Sequence, residues 1–194
     1  MHALSAGLMS DIDMTYEAQI KDWLSSDPMR MEALAIASEQ KLPEWCIAAG
    51  FVRNLVWDKL HGFSSATDLN DVDLIYFDSH DLSESRDREI EDKLKIISKL
   101  PWSVKNQARM HERNSDCPYI STEDAMSFWV EVETAVGARL DERGEVAIVA
   151  PFGVERLFDF TVTLNSKRPK RTAFESRITS KRWLEMWPKL VVNA

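Results

Sequence analysis

The sequence predicts an α/β (α+β) domain with a mixed central β-sheet flanked by helices. Three observations carry this. Short apolar runs of strand character are interspersed with longer segments of helical period. Two late runs are joined at Glu142-Arg143-Gly144, a hairpin signal that brings antiparallel pairing into the sheet. Hydrophobic residues make up 44% of the 194 residues and charged residues 29%, which supports a packed core and excludes global disorder.

The elements follow in order. Residues 1–13 read as a loose tail and 14–194 as a single domain. Met14 to Leu24 is helical. Pro28 suits the first turn of a second helix running to about Lys41, with Met31, Leu34, Ala35 and Ala37 near helical spacing. Trp45 to Ala49 is a short apolar run ending at Gly50, a buried strand. Phe51 to Leu60 returns to helical period, with Val52, Leu55, Val56 and Leu60 on one face, and His61-Gly62 ends it. After a polar loop, Asp71 to Phe77 reads as a strand. Leu82 to Leu100 is a charged amphipathic helix with Ile90, Leu94 and Ile97 inward, stopped by Pro101. Trp102 to Met110 reads as a strand and His111 to Tyr119 as loop. Thr122 is an N-cap candidate for a helix through Trp129. The hairpin takes Ala135 to Leu140 and Glu145 to Val149. Phe158 to Leu164 is the last predicted strand, and Phe174 to Trp187 a closing helix before Pro188.

Composition limits the function. The formal net charge is −8, which argues against a grip on long nucleic acid as the main activity. A basic group, Lys167, Arg168, Lys170, Arg171, Arg177, Lys181 and Arg182, reads either as a local patch or as a solvated loop and helix face. Cys46 and Cys117 have neither metal-ligand spacing nor a disulfide framework; Cys46 reads as a buried small hydrophobe. The N-terminus lacks a signal-peptide pattern and no apolar run reaches membrane length, so the expected location is cytoplasmic.

The chemistry concentrates between Gly50 and Asp78. A glycine between strand and helix allows a tight turn and close approach of a ligand. The helix that follows presents unpaired N–H groups and a dipole that favour phosphate. Arg53 and Asn54 sit in its first turn, where Arg53 could add a bidentate phosphate contact. Asp71 and Asp73 are two apart, and residues i and i+2 of a strand share a face. Two carboxylates facing one way repel unless a cation lies between them, and Mg²⁺ or Mn²⁺ suits an all-oxygen site that also meets phosphate. Val72 and Leu74 point inward and root the pair in the core. A polar strand start is the plainer reading of the Asp-x-Asp taken alone.

Ala49-Gly50-Phe51-Val52-Arg53-Asn54, followed by Asp71-Val72-Asp73, resembles the Gly-Gly-x-Val-Arg-Asp … Asp-x-Asp signature of tRNA CCA-adding enzymes and poly(A) polymerases, members of the DNA polymerase β-like nucleotidyltransferase superfamily. Residues 15–192 also resemble a family of bacterial proteins described only as nucleotidyltransferase-like, through segments 50–62, 68–78, 104–111, 118–131, 134–140, 150–158 and 181–190. The resemblance implies the nucleotidyltransferase fold. It also implies two divalent ions that align a nucleoside triphosphate and an acceptor hydroxyl for in-line attack, with release of pyrophosphate. Gly50 matches the phosphate-loop glycine and Asp71 and Asp73 the metal-binding pair. A third carboxylate is expected on a neighbouring strand between apolar residues; Asp159 in Phe158-Asp159-Phe160 has that pattern, with Glu131 and Glu133 as rivals. The chain departs from the signature at Ala49 and Phe51, where a second Gly or Ser of the loop is usual.

The same resemblance marks Asn106, Arg109 and His111 as signature positions. On a strand Arg109, His111 and Arg113 share a face, so they read either as a polar wall contacting a nucleotide or as a network pinning a loop to Tyr119. His111 has no nucleophile near it in sequence and is a poor candidate base. Trp57 and Trp129 read as core, and Arg139 as a partner for a buried carboxylate such as Glu131. The expected partners are a nucleoside triphosphate and an unknown small-molecule or protein acceptor, with nucleic acid disfavoured and no membrane. A nucleotide-sensing module of the same fold is the alternative to an enzyme. A haloacid-dehalogenase-like phosphatase is disfavoured, because Leu74-Ile75-Tyr76-Phe77 follows the Asp-x-Asp instead of preceding it. A nucleotide-sugar glycosyltransferase is opposed only by Gly50-x-x-Arg53-Asn54 upstream.

Overall fold

A computed structural model describes residues 15–194 of the chain; the predicted tail at 1–13 and the first residue of the predicted first helix lie outside it. Two helices open the described chain. α1 (Tyr16–Ser25) is capped by Thr15, whose hydroxyl accepts from the Ala18 N–H, and α2 (Pro28–Ser38) by Asp27, with Pro28 in its first turn. Leu34 and Ala37 of α2 are buried as expected, Ala35 is exposed, and Arg30 is fully buried with its Nε donating to the Phe51 carbonyl at 2.9 Å.

The central sheet has five strands in the order β3-β2-β1-β4-β5, built from β1 (Cys46–Ala48), β2 (Val72–Tyr76), β3 (Trp102–Asn106), β4 (Gly137–Leu140) and β5 (Val146–Val149). β2 and β3 are parallel and the other three pairings antiparallel, so the sheet is mixed, as predicted. The hairpin forms at its expected place: Asp141 and Glu145 close the turn and Gly144 takes φ 77°.

The period-two alternation divides the two faces of the sheet. Ile47 of β1, Val72, Leu74 and Tyr76 of β2, and Trp102 and Val104 of β3 enter the main core, which α1, α2 and α3 (Gly50–His61) complete. Cys46, Ala48 and Ile75 enter a smaller cluster with Met126 and Ala135. Asp73 has the parity of Ile75, and Ser103 and Lys105 pair with Asp73 and Ile75 across the parallel register. The second face therefore carries the polar groups. Burial pushes the Cys46 thiol up to about 12, so it behaves as the predicted inert hydrophobe.

Several elements differ from the sequence reading. α4 (Glu84–Ile97) buries Ile90 and Leu94, but Ile97, the last residue of the helix, is 56% exposed. The strand predicted to Met110 stops at Asn106, whose side chain accepts from the Ala108 N–H and turns the chain into a 3₁₀ turn at Gln107–Arg109 and then α5 (Met110–Asn114). α6 (Thr122–Met126) is capped by Ser121, one residue before the predicted Thr122, and is shorter than predicted. The strand predicted from Phe158 begins only at Thr161: residues 155–158 form a 3₁₀ turn, and Phe160 takes φ 55° before β6 (Thr161–Thr163). The closing helix breaks at Arg182 (φ 53°) into α7 (Arg171–Lys181) and α8 (Trp183–Met186). An unpredicted β7 (Val191–Asn193) then pairs parallel with β6.

These C-terminal helices close on α3. Trp57, fully buried as predicted, meets Trp187 edge-on at 5.1 Å and Trp183 at 6.0 Å, with Phe174 and Leu190 completing the cluster. The buried Asp58 carboxylate accepts from the Trp187 indole at 2.8 Å and from the N–H and hydroxyl of Thr67 at 2.8 and 2.7 Å. One carboxylate thus ties α8 to the loop that delivers Asp71.

Candidate active site

The acidic pair lies where that loop enters β2. Asp71, one residue before the strand, is exposed; Asp73 is half-buried on the second face. Burial pushes the Asp73 carboxyl up to about 6, with the Asp71 carboxylate adding to the rise and Ser103, Lys181 and Arg53 opposing it. Among the described residues neither aspartate has a salt bridge. A partly buried carboxylate pressed by a second one, with no paired cation, is a donor set that suits a hard divalent ion.

The raised pKa has a stability consequence. The folded chain holds the Asp73 proton more tightly than the unfolded chain, whose carboxyl has its ordinary pKa. The stabilisation is therefore complete below about pH 4 and lost as the pH rises to about 6. In metal-free buffer, the unfolding free energy of the wild type minus that of Asp73→Asn is expected to fall by up to about 3 kcal/mol across this window. Urea titrations at stepped pH measure it, and a flat difference would contradict the assignment.

Asp73 opens onto a cavity of about 290 Å³. Ala49 and Thr134 form its floor, Phe128 and Trp129 give it aromatic surface, and Lys105, Lys170, Arg177 and Glu131 bring charge. Trp129, expected in the core, packs partly buried against the smaller cluster and also forms part of the cavity wall. Lys170 and Arg177 come from the basic group that could have been a merely solvated face. Lys105, Gln107 and Asn114 were not singled out by sequence. Lys105 was detectable, because it lies two residues beyond Ser103 on a strand that pairs with β2.

The turn into α3 differs in detail from expectation. The residue with the strained backbone is Ala49, at φ 58° and ψ −120°, and not Gly50, which begins the helix. A Cβ on Gly50 would meet only ordinary contacts, with Asn54 Nδ2 at 3.4 Å and Arg53 NH2 at 3.6 Å. No side chain caps α3, and the Val52 and Arg53 N–H groups donate to the Ala49 carbonyl at 3.2 and 3.0 Å. Holding Ala49 there costs about 1–3 kcal/mol. Ala49→Gly is expected to raise the unfolding free energy by about 1 kcal/mol, after subtracting the larger chain entropy of glycine. Urea unfolding with an unchanged m-value tests this; a loss of stability would contradict it.

Arg53 is buried and does not line the cavity. It is 6% exposed, with NH1 on the Thr134 hydroxyl at 2.6 Å and NH2 on Asn54 Oδ1 at 3.0 Å. Its guanidinium sits 5.0 Å from the Trp57 ring and 4.6 Å from the Trp183 ring. Burial pulls its pKa down to about 10, so it stays charged at neutral pH. The predicted phosphate contacts of Arg53 and Asn54 are replaced by contacts with each other and with the cavity floor.

Asp159 is not brought to the pair. It follows the 3₁₀ turn, is exposed, and lies 3.6 Å from Arg156. The predicted strand that would have carried it inward does not exist, which corrects its assignment as third carboxylate. Of the rivals, Glu133 is occupied: it accepts from Thr161 Oγ1, Thr163 N and Thr163 Oγ1 at 2.7–2.8 Å. Glu131 lines the cavity at 1% exposure, and its partner is Arg177 at 2.6 Å, not the predicted Arg139. Among the described residues no three carboxylate, histidine or cysteine side chains already converge as a metal cluster.

Asn106, Arg109 and His111 form a structural clasp. Asn106 accepts from Asp78 N and Ala108 N and donates to the Asp78 and Asp81 carbonyls. Arg109 pairs with Asp87, which also accepts from the Tyr76 hydroxyl and the Asn106 N–H. His111 contacts the Ala108 carbonyl and the edge of Tyr119. The helical turn at 110–114 removes the shared strand face expected for Arg109, His111 and Arg113. Of the two readings, the network is the one these contacts describe.

Mixed sheet, helical cover and an acidic pair at a strand entrance define a nucleotidyltransferase fold. The sequence profile of a family described as Nucleotidyltransferase matches residues 35–192, and the chain belongs to that family. A protein whose NMR structure reveals a CCA-adding enzyme head domain is 31% identical, with TM-score 0.80 over 91% of this chain and 95% of that one. A CCA-adding enzyme in complex with CTP superposes with TM-score 0.55 at 13% identity, over 92% of this chain. A tRNA-processing enzyme complex superposes with TM-score 0.52 at 17% identity, over 83%. The chain spans 43% and 42% of those two proteins. No curated protein matches significantly. No helix among the described residues is long and apolar enough to cross a membrane.

Proposed function

We propose that this chain transfers a nucleoside monophosphate from a nucleoside triphosphate to an acceptor hydroxyl, releasing pyrophosphate. The observation that carries this is one cavity with Asp73 on one wall and Lys105, Lys170 and Arg177 on the others. Membership of the nucleotidyltransferase family supports the reaction type.

Asp71, Asp73 and Glu131 are the residues that would hold divalent cations, Mg²⁺ or Mn²⁺, in place of the sequence-level choice of Asp159. Such ions would neutralise charge on the phosphates and favour ionisation of the acceptor hydroxyl. Lys105, Lys170 and Arg177 bind and orient the triphosphate, with the uncapped N-terminus of α3 at Gly50 as a further anion partner. Phe128 and Trp129 offer apolar surface to the base. The acceptor oxygen bonds to the α-phosphorus as the bond to the bridging oxygen breaks, and the electron pair leaves with pyrophosphate.

The acceptor stays open to small molecules and proteins. The similarity to proteins named as CCA-adding and tRNA-processing enzymes removes the reason to set nucleic acid aside, so a polynucleotide terminus joins the acceptors to be tried. One observation favours the alternative of a nucleotide sensor without turnover: Ala49 holds a strained turn where the signature has glycine. Isothermal titration of each nucleoside triphosphate with Mg²⁺, beside a pyrophosphate-release assay, separates the two. Turnover lost in Glu131→Gln and kept in Asp159→Asn supports the enzyme and its third carboxylate. Binding without pyrophosphate supports the sensor.

A further inference from the structure

Glu131 is the most constrained charge in the cavity. It is 1% exposed; one oxygen accepts from Arg177 Nε at 2.6 Å, and the other is buried with no hydrogen-bond partner. Arg53 is nearby, but its NH1 and NH2 donate to Thr134 and Asn54 and its buried Nε has no hydrogen-bond partner. Among the described residues Arg177 therefore supplies the one direct counter-charge of Glu131.

Arg177 itself is differently placed. Its side chain is 36% exposed, it lines the cavity beside Lys170, and its guanidinium lies 5.7 Å from the Trp183 ring. It reaches Glu131 from the solvent side as an arm of α7, while Arg53 is locked on Trp183 at 4.6 Å. A triphosphate entering the cavity would meet this arm and offer it several anionic oxygens in the geometry that a guanidinium prefers.

We infer that Arg177 is an exchange residue: it pairs with Glu131 until a nucleotide arrives, then moves to the triphosphate and frees Glu131 for a divalent cation. The inference rests on the nucleotide site proposed above. A buried carboxylate is strongly destabilised when its cation leaves unreplaced. Arg177 can thus release Glu131 only as another positive charge comes in, and a cation travelling with the triphosphate supplies it. The two ligands then promote each other's binding by equal factors, as linkage requires. It also gives a reason why three acidic side chains do not already converge in this state: the third is held aside by an arginine.

The test reads metal binding, not turnover. Mn²⁺ affinity of the full chain is measured by the loss of the free-ion electron paramagnetic resonance signal, without nucleotide, in wild type, Arg177→Met, Arg177→Lys and the Arg177→Met/Glu131→Gln double variant. Inorganic tripolyphosphate is titrated calorimetrically into the same proteins in the presence of saturating Mn²⁺, the cation that the exchange requires. Arg177→Met is expected to bind Mn²⁺ about 5-fold or more tighter than wild type. It should bind tripolyphosphate more weakly, and the metal gain should vanish in the double variant. Arg177→Lys, which keeps the charge and safeguards folding, should fall between. An unchanged or weaker Mn²⁺ affinity in folded Arg177→Met and Arg177→Lys, with wild type binding both probes, overturns the exchange and leaves the nucleotide site standing. A wild type that binds neither probe overturns both.

Discussion

Replacing Asp71 and Asp73 together by asparagine is expected to lower nucleotidyl transfer by at least about 10³-fold while the chain stays folded. The amide keeps the shape of the carboxylate and loses the charge that would hold divalent cations. Asp73 is rooted by its strand neighbours Val72 and Leu74, both fully buried, so the backbone has no reason to move. Removing two repelling carboxylates, one of them half-buried, also removes a source of instability, and the variant should unfold at higher urea in metal-free buffer. Pyrophosphate release at saturating nucleotide measures the first effect and urea unfolding the second. A variant that keeps a tenth of the activity would place the metal site elsewhere.

Arg53→Ala is expected to cost about 3–5 kcal/mol of stability, the range for removing one partner from a buried charged network. Arg53 joins three parts of the molecule: α3, the Thr134 floor of the cavity, and the C-terminal helices through Trp183. Its loss would leave the Glu131, Asp71 and Glu133 carboxylates without a nearby buried cation. Arg53→Lys should restore only part of the loss, because a compact ammonium lacks the flat cationic face that meets the indoles and the fork of donors that reaches both Thr134 and Asn54. Urea or thermal unfolding tests both variants. A loss under about 1 kcal/mol in Arg53→Ala would return Arg53 to the role of a phosphate ligand, with triphosphate affinity falling more than nucleoside affinity.

The fold was legible where the signal is local. Period-two alternation at Val72 and Leu74 and helical spacing at Val52, Leu55 and Val56 depend on the residue's own neighbours, and burial follows them. The same holds for Asp71 and Asp73, whose spacing marked them as a pair. Long-range features were not legible. Phe158-Asp159-Phe160 has strand composition, but the positive φ at Phe160 and the 3₁₀ turn before it answer to packing of Phe158 against Tyr16 and Trp23, far away in sequence. Glu131 and Arg177 are 46 residues apart, and nothing around either one names the other.

Signature positions were ambiguous for a different reason. Asn106, Arg109 and His111 stand out as polar residues in a patterned segment, but a side chain that holds loops together stands out in the same way. Only the partners separate the two cases, and partners distant in sequence, such as Asp87 for Arg109, show only in the folded chain. Ala49 shows the converse. Its departure from the glycine signature was visible in the sequence, and the strained backbone it adopts was not.

The most direct measurement is a thermal-shift comparison of the four nucleoside triphosphates, with Mg²⁺ or Mn²⁺ and without, on wild type beside Asp71→Asn/Asp73→Asn. A ligand bound only by the folded state raises the melting temperature by mass action. The prediction is a metal-dependent rise for at least one nucleotide in wild type and none in the double variant. An equal rise in both proteins would contradict the acidic pair as the site of metal-dependent nucleotide binding.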